Sequence, residues 1–289
     1  KKVIILIQIL FITDIIEPLD SKGYNACFQY SGFQMWEPAF RLICDFTSSI
    51  NDEYYSLMLG RLISIVPILI FIYLVSNRNL YASIYIFLSI FGLILGGYRQ
   101  LMAVSFLGIS LVLFKKSMML KTFSMFLAFS THYSSVIASF IYLFFNKIKL
   151  TKILSIIFIL GLISVPYFVE KIIQSNLISL IYLPDSWVQY LTGRYVIAES
   201  GYYQIAKVVL ISQSVFAVFI AILFSKGRNV DKSSIRIVII LECLFIAFCL
   251  SVNYIVTARF GIYIRLFEMR LIMMESYAKV FKLMFISLA

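Results

Sequence analysis

Apolar and polar positions segregate along this chain in long blocks. Nearly uninterrupted apolar runs cover residues 3–16, 55–76, 80–97, 100–114, 122–145, 153–169, 203–225 and 235–255, separated by short polar stretches. As a helix, a run of about 17–25 such residues crosses the hydrocarbon core of a bilayer. The pattern predicts an all-α polytopic membrane protein with roughly eight to ten membrane-embedded helices, some of them short or re-entrant. It reads as one integral membrane domain over residues 1–289, with no separate soluble part. Beyond 255 an amphipathic stretch begins at Arg259 and leads into a final span that stops early. Loops 17–54 and 170–202 are too long for simple connectors, and both carry Trp, Tyr, Pro and mixed charge. They are expected to be folded, functional loops at one interface.

Composition supports this reading. Hydrophobic residues make up 62% of the chain and charged residues 13%, with a mean hydropathy of +0.96, whereas soluble domains are about a quarter charged. The net charge of +11 would suggest nucleic acid in a soluble protein. Here the basic residues cluster between apolar runs and report topology, so no nucleic-acid partner is expected. Lys1 and Lys2 before Val3–Ile12 resemble a signal sequence, but Thr13–Leu19 offers no small-residue cleavage site, which predicts an uncleaved first span. Cys243 and Cys249 lie in an apolar run as buried thiols, while Cys27 and Cys44 share one loop and can pair if that loop is outside. A single histidine without Cys-x-x-Cys argues against zinc, and neither metal nor cofactor is expected.

Positive loops prefer the cytoplasm. Lys1/Lys2, Arg78 and Lys115/Lys116/Lys121 fit with loop 17–54 outside. Lys147/Lys149/Lys152 fit only if 122–145 is a broken, re-entrant hairpin with Ser130, Thr131 and His132 at its tip. Irregular backbone at membrane depth must be buried in protein or line a wet cavity. The same parity puts loop 170–202 outside and Lys226–Lys232 inside. One continuous helix with imperfect charge bias is the alternative.

Polar chemistry inside apolar runs marks the candidate residues, because an ionisable side chain at the bilayer centre costs roughly 2.5–3.5 kcal/mol. Gly96-Gly97-Tyr98-Arg99-Gln100 joins two apolar runs, so Arg99 falls in the first turn of a helix. There the guanidinium and the helix-start N–H groups form an anion site suited to a phosphate or diphosphate. Snorkelling to lipid headgroups is the plainer alternative. His132 can accept a proton from a sugar hydroxyl, donate a hydrogen bond to substrate, or bond a backbone carbonyl. Asp20, Tyr24 and Glu37 supply the carboxylates and aromatic rings usual in carbohydrate sites. Equally, Gln34–Phe46 reads as an interfacial amphipathic helix with Glu37 and Arg41 paired. Arg194 in the second loop, with Arg259 and Tyr263 near the C-terminus, adds charge beside aromatic rings.

These features in this order resemble the EpsG-like branch of the Wzy-class polysaccharide polymerases. The resemblance rests on Asp20–Tyr24 with Glu37-Pro38, on Gly97-Tyr98-Arg99-Gln100-Leu101-Met102-Ala103 and the basic turn after it, on Phe126–Ile137 around His132, and on Arg259 with Tyr263. It covers most of the chain and departs at both ends, in the short first span and the abbreviated last one. The resemblance implies a glycosyltransferase-C-like fold in the bacterial cytoplasmic membrane. It implies polymerisation of polyprenyl-diphosphate-linked oligosaccharide repeat units at the outer face, as in O-antigen, capsule or exopolysaccharide assembly, with membrane lipids and a chain-length regulator as partners. On this reading the enzyme is metal-independent. Arg99, with Arg259 or Arg194, neutralises the leaving diphosphate, and Gln100 binds its oxygens or a sugar hydroxyl. Asp20, Tyr24 and Tyr263 contact the glycan; His132, or else Glu37, activates the acceptor hydroxyl. The alternatives are a membrane glycosyltransferase using a polyprenyl-phosphate sugar donor, a glycan ligase, and a transporter or flippase. Inverted repeats would favour the last, and none is visible.

Overall fold

In the computed structural model the apolar runs become helices whose ends follow local chemistry. The structure describes residues 21–30, 37–94, 97–113, 117–132, 134–136, 138–139, 201–224, 232–251, 254–273 and 286. The expected spans at 3–16 and 153–169, and loop 170–202, lie outside the described residues. The described residues are all-helical, with no strand. Lys1–Leu143 and Phe144–Leu288 form two compact units.

In the first unit, loop 17–54 contains two short helices, α1 (Ser21–Gln29) and α2 (Pro38–Ser48). Four longer ones follow: α3 (Glu53–Ser76), α4 (Leu80–Ile94), α5 (Tyr98–Leu113) and α6 (Met118–Thr131). Asp52 caps α3 by accepting from the N–H groups of Tyr54 and Tyr55 at 2.9 and 3.0 Å, and Ser117 caps α6 through the Leu120 N–H, satisfying donors that helix starts leave open. The run 122–145 does not continue as one helix. The first helix in it stops at Thr131, and His132 takes an extended backbone (φ −159°, ψ 117°).

Of the described helices, α3 is long and apolar enough to cross a membrane by itself; Leu80–Ser89, Tyr98–Val112 and Val208–Leu223 are shorter apolar segments. One face of α3 buries Gly60, Ser64, Ile68, Phe71 and Val75. The other exposes Tyr55, Met58, Leu62, Val66, Ile70 and Tyr73 at spacings of three and four. An apolar stripe running the length of a helix is covered by lipid in a membrane protein. Tyr55 and Tyr73 are eighteen residues apart, about 27 Å along the axis, matching a hydrocarbon core of about 30 Å with aromatic rings at each boundary.

Two glycines set how closely these helices approach. Gly60 on α3 receives the Phe28 ring of α1, and Gly108 on α5 receives the Phe71 ring of α3; a Cβ at either would overlap the ring. Phe28 also lies 6.0 Å from Tyr98, at the start of α5. The contacts thus advance from Gly60 to Phe71 on α3 as they advance from Tyr98 to Gly108 on α5, so the two helices run parallel, with α4 returning between them. Residues 114–116 join α5 to α6, which packs back along α5 and touches α2. The C-terminal end of α6, with His132, thereby returns to the end of the bundle where α5 begins.

The second unit holds α7 (Gly201–Phe224), α8 (Lys232–Ser251) and α9 (Tyr254–Ile272), each packed on the other two. The amphipathic stretch expected from Arg259 is part of α9, which begins five residues earlier.

Gly108→Val should lower stability by about 1–3 kcal/mol through overpacking against Phe71. Gly23→Ala on α1, with nothing within 4 Å of the added methyl, should be neutral or slightly stabilising. Thermal unfolding of the purified variants checks both; equal midpoints for Gly108→Val and wild type would remove the close α3–α5 approach.

Candidate active site

Arg99 stands in the first turn of α5 and meets loop 17–54. Its Nη1 donates to Glu37 Oε2 at 2.8 Å, its Nε donates to the Tyr24 hydroxyl at 3.3 Å, and its guanidinium carbon lies 5.6 Å from the Tyr24 ring centre. The Glu37 side chain is 8% exposed and that of Arg99 25%, so the carboxylate is sealed while part of the arginine side chain stays accessible. An ion pair that is largely desolvated and joined by a charge-assisted hydrogen bond holds its geometry better than a surface pair.

The local sequence explains why Glu37 is available. It precedes Pro38, which opens α2 and has no N–H to cap. Glu37 occupies the N-cap position but makes no capping bond; its carboxylate goes to Arg99. The expected Glu37–Arg41 pairing is therefore not formed, and Arg41 lies 3.7 Å from Asp45 on the exposed side of α2. Phe40, Cys44 and Thr47 share the buried face of that helix while Leu42 and Phe46 are exposed, which keeps the amphipathic, interfacial character read from the sequence.

Tyr24 is held by its neighbours. Its ring meets Phe40 at 5.6 Å and Tyr98 at 5.4 Å, both edge to face, and Phe28 completes the cluster against Phe40 and Tyr98. The Cys27–Cys44 disulfide joins α1 to α2 with a Cα separation of 5.4 Å, so the bridge left open by the sequence is present. It lies beside Phe28 and one helical turn from Phe40.

His132 ends α6, its N–H donating to the Ala128 carbonyl at 3.1 Å. Its Nδ1 accepts from the Ser134 N–H at 3.2 Å and lies 2.6 Å from Ser134 Oγ. A backbone N–H can only donate, so Nδ1 carries no proton and the neutral ring holds its hydrogen on Nε2. The Ser134 hydroxyl accordingly donates to Nδ1.

The structure thus brings together Arg99, Glu37 and Tyr24 and places His132 at the same end of the unit. Gln100 follows Arg99 on α5 but is buried, as is Tyr263 within α9. Arg259 lies on α9 in the second unit, while Asp20 and Arg194 lie outside the described residues. Sequence reading found Arg99, Glu37 and Tyr24 as separate candidates and missed that they touch, because their 62- and 75-residue separations leave no periodic trace. It passed over Ser134 as a partner of His132 and Glu242 in the second unit, although a carboxylate inside the run 235–255 was a visible signal.

If the pair tethers loop 17–54 to α5, a double-mutant cycle of Arg99→Ala and Glu37→Ala should give a coupling energy of about 0.5–3 kcal/mol in unfolding. Additive effects of the two substitutions would show that the contact contributes nothing to stability.

No curated protein and no solved structure matches this chain. The EpsG family model matches residues 2–288, which takes in both units and every candidate residue named above. The chain belongs to the EpsG family, and with it to the membrane proteins of polysaccharide biosynthesis.

Proposed function

We propose that this protein is a metal-independent glycosyltransferase that polymerises polyprenyl-diphosphate-linked oligosaccharide repeat units at the outer face of a bacterial cytoplasmic membrane. The observation that carries this reading is Arg99, oriented by Glu37 and Tyr24 at the start of α5 and a quarter exposed. A departing diphosphate needs neutralisation more than protonation, and a fixed guanidinium beside helix-start N–H groups supplies it where negative charge develops. Arg259 and Arg194 are proposed as further diphosphate ligands, and Gln100, Asp20, Tyr24 and Tyr263 as glycan contacts.

Glu37 fits positioning better than proton acceptance, since its Oε2 is already engaged by the Arg99 guanidinium at 2.8 Å. His132 with Ser134 fits acceptor activation. The acceptor hydroxyl passes its proton to Ser134 Oγ as the Ser134 proton moves to His132 Nδ1. The acceptor oxygen attacks the anomeric carbon of the growing glycan, the glycosyl–phosphate bond breaks with inversion, and the lipid diphosphate leaves as the anion held at Arg99.

The Cys27–Cys44 disulfide supports an outward-facing first loop, because bacterial cytoplasm keeps thiols reduced. The break in α6 at His132 suits the re-entrant arrangement that charge parity requires for 122–145. In a single membrane domain of that topology, loops 17–54 and 170–202 face out and Lys147–Lys152 face the cytoplasm.

Topology is tested by single cysteines labelled with a membrane-impermeant reagent in intact cells. A probe at Ser186 should react and one at Asn146 should not; labelling of Asn146 from outside would exclude the re-entrant hairpin. Chemistry is tested with purified lipid-linked repeat units. Arg99→Lys should lose nearly as much activity as Arg99→Ala, on the order of a hundredfold or more, because charge without the planar fork is insufficient. His132→Ala and His132→Gln should each lose about a hundred- to ten-thousand-fold and accumulate single repeat units while protein level and fold stay normal. Substantial rescue by Gln would reduce His132 to a hydrogen-bond donor, and polymer at wild-type level from Arg99→Ala would exclude the diphosphate role.

A further inference from the structure

Both partners of Arg99 come from helices too short to hold a position alone. Tyr24 lies on α1, of 9 residues, and Glu37 stands at the N-cap of α2, of 11, whereas isolated helices below about 12–15 residues are marginal in water. The two helices pack mainly on each other and on α3, and α2 also on α6. Neither rests chiefly on α5, so the reach of both side chains to the guanidinium depends on how α1 sits against α2.

Ring contacts and one covalent bond set that relation. The Phe40 ring of α2 meets Tyr24 at 5.6 Å and Phe28 at 5.8 Å, and the Cys27–Cys44 bond joins the same two helices with a Cα separation of 5.4 Å. Cys27 follows Tyr24 by three residues on the buried face of α1, and Cys44 follows Phe40 by four on that of α2. Rings and bridge therefore lie one turn apart on a single interface. Ring contacts are individually weak and let one helix slide or pivot on the other; a covalent bond one turn away does not. The bundle of α3, α4, α5 and α6 is held by its own contacts and contains neither cysteine. Removing the bond leaves those four helices packed and loosens α1 against α2.

We propose that the Cys27–Cys44 bridge is a positioning element of the Arg99 site: it fixes α1 against α2 so that Tyr24 and Glu37 engage the guanidinium together and hold it in one orientation. Without the bond the arginine keeps its charge and its place on α5 but loses a fixed direction. The effect on turnover rests on Arg99 acting on the leaving diphosphate; the effect on Arg99 itself does not.

The test compares full-length wild-type protein, purified in detergent, with Cys27→Ala/Cys44→Ala, which removes the bond without adding a buried polar group. Phenylglyoxal modification of arginines is followed at each position by mass spectrometry. Arg99 should react several-fold faster in the variant, while Arg41, exposed on α2, and Arg265, buried in the second unit, react as in wild type. Glu37→Gln should accelerate Arg99 in the bridged protein and add little once the bridge is gone, since both changes release the same guanidinium. With purified lipid-linked repeat units, kcat of the variant should fall about tenfold to a hundredfold, the scale of a misplaced group, with a smaller change in KM. In an Arg99→Ala background, loss of the bridge should cost nothing further. An Arg99 labelling rate or a kcat unchanged in the variant would overturn the proposal, and so would equal acceleration at Arg265, which would report general loosening. Arg99 accelerated as expected, with no polymer from any form, would instead overturn the polymerase reading and support the positioning role. If the variant does not fold, Cys27→Val/Cys44→Ala, which refills the space of the sulfurs, takes its place. Failure of both to fold would count against the proposal, because the bridge would then hold the fold rather than the site.

Discussion

A guanidinium cannot lose its proton in a protein, and around Arg99 the first unit is arranged to accommodate that constraint. The helix that carries it is apolar from Leu101 onward, so the charge at its start must find a partner or water. Glu37 meets it at 2.8 Å from a segment 62 residues earlier. That contact draws α2 over the start of α5, and the disulfide between Cys27 and Cys44 brings α1 with it. Tyr24, Phe28, Phe40 and Tyr98 then close around the pair as a cluster of rings. The aromatic wall lowers the local dielectric and strengthens the pair, while a quarter of the Arg99 side chain stays exposed.

The end of α6 applies the same accounting to backbone rather than charge. His132 leaves helical geometry, yet its N–H still bonds the Ala128 carbonyl and its ring accepts from the Ser134 N–H. The histidine serves as a C-terminal cap whose side chain replaces a backbone partner. That engagement fixes the tautomer and directs any proton traffic at Nδ1 through the Ser134 hydroxyl.

The second unit answers the problem of buried charge differently. Arg265 and Glu268 neutralise each other within α9, three residues apart, and Gln213 takes a remaining guanidinium donor. Glu242 lies beside them, buried on α8. In the first unit a long-range ion pair joins two segments; in the second, a local pair forms within one helix.

Much of this protein is determined by sequence alone, because membrane helices obey a one-dimensional rule. Length and apolarity decide which segments can be helices in lipid, and the runs at 55–76, 80–97, 100–114, 203–225 and 235–255 became α3, α4, α5, α7 and α8 with ends shifted by a few residues. The interruption near His132 was one of two readings open in the sequence, since Ser-Thr-His breaks an apolar run and a discontinuity there suits charge parity, whereas a continuous helix suits apolarity alone. Arg99 in the first turn of α5 followed from the glycines before it. Tertiary structure decided which polar groups meet. Nothing in the local pattern around Glu37 distinguishes a partner at Arg41, four residues on, from one at Arg99; the choice came from α2 packing on α3 and α6, with Glu37 set beside Arg99, where burial makes the longer-range pair the stronger one. The gathering of Glu242, Ser214, Arg265 and Glu268 has the same origin. Hydropathy records what each residue would pay to enter the membrane one at a time, whereas pairing depends on which helix faces are pressed together, and that is set by side-chain fit such as Phe28 on Gly60 and Phe71 on Gly108.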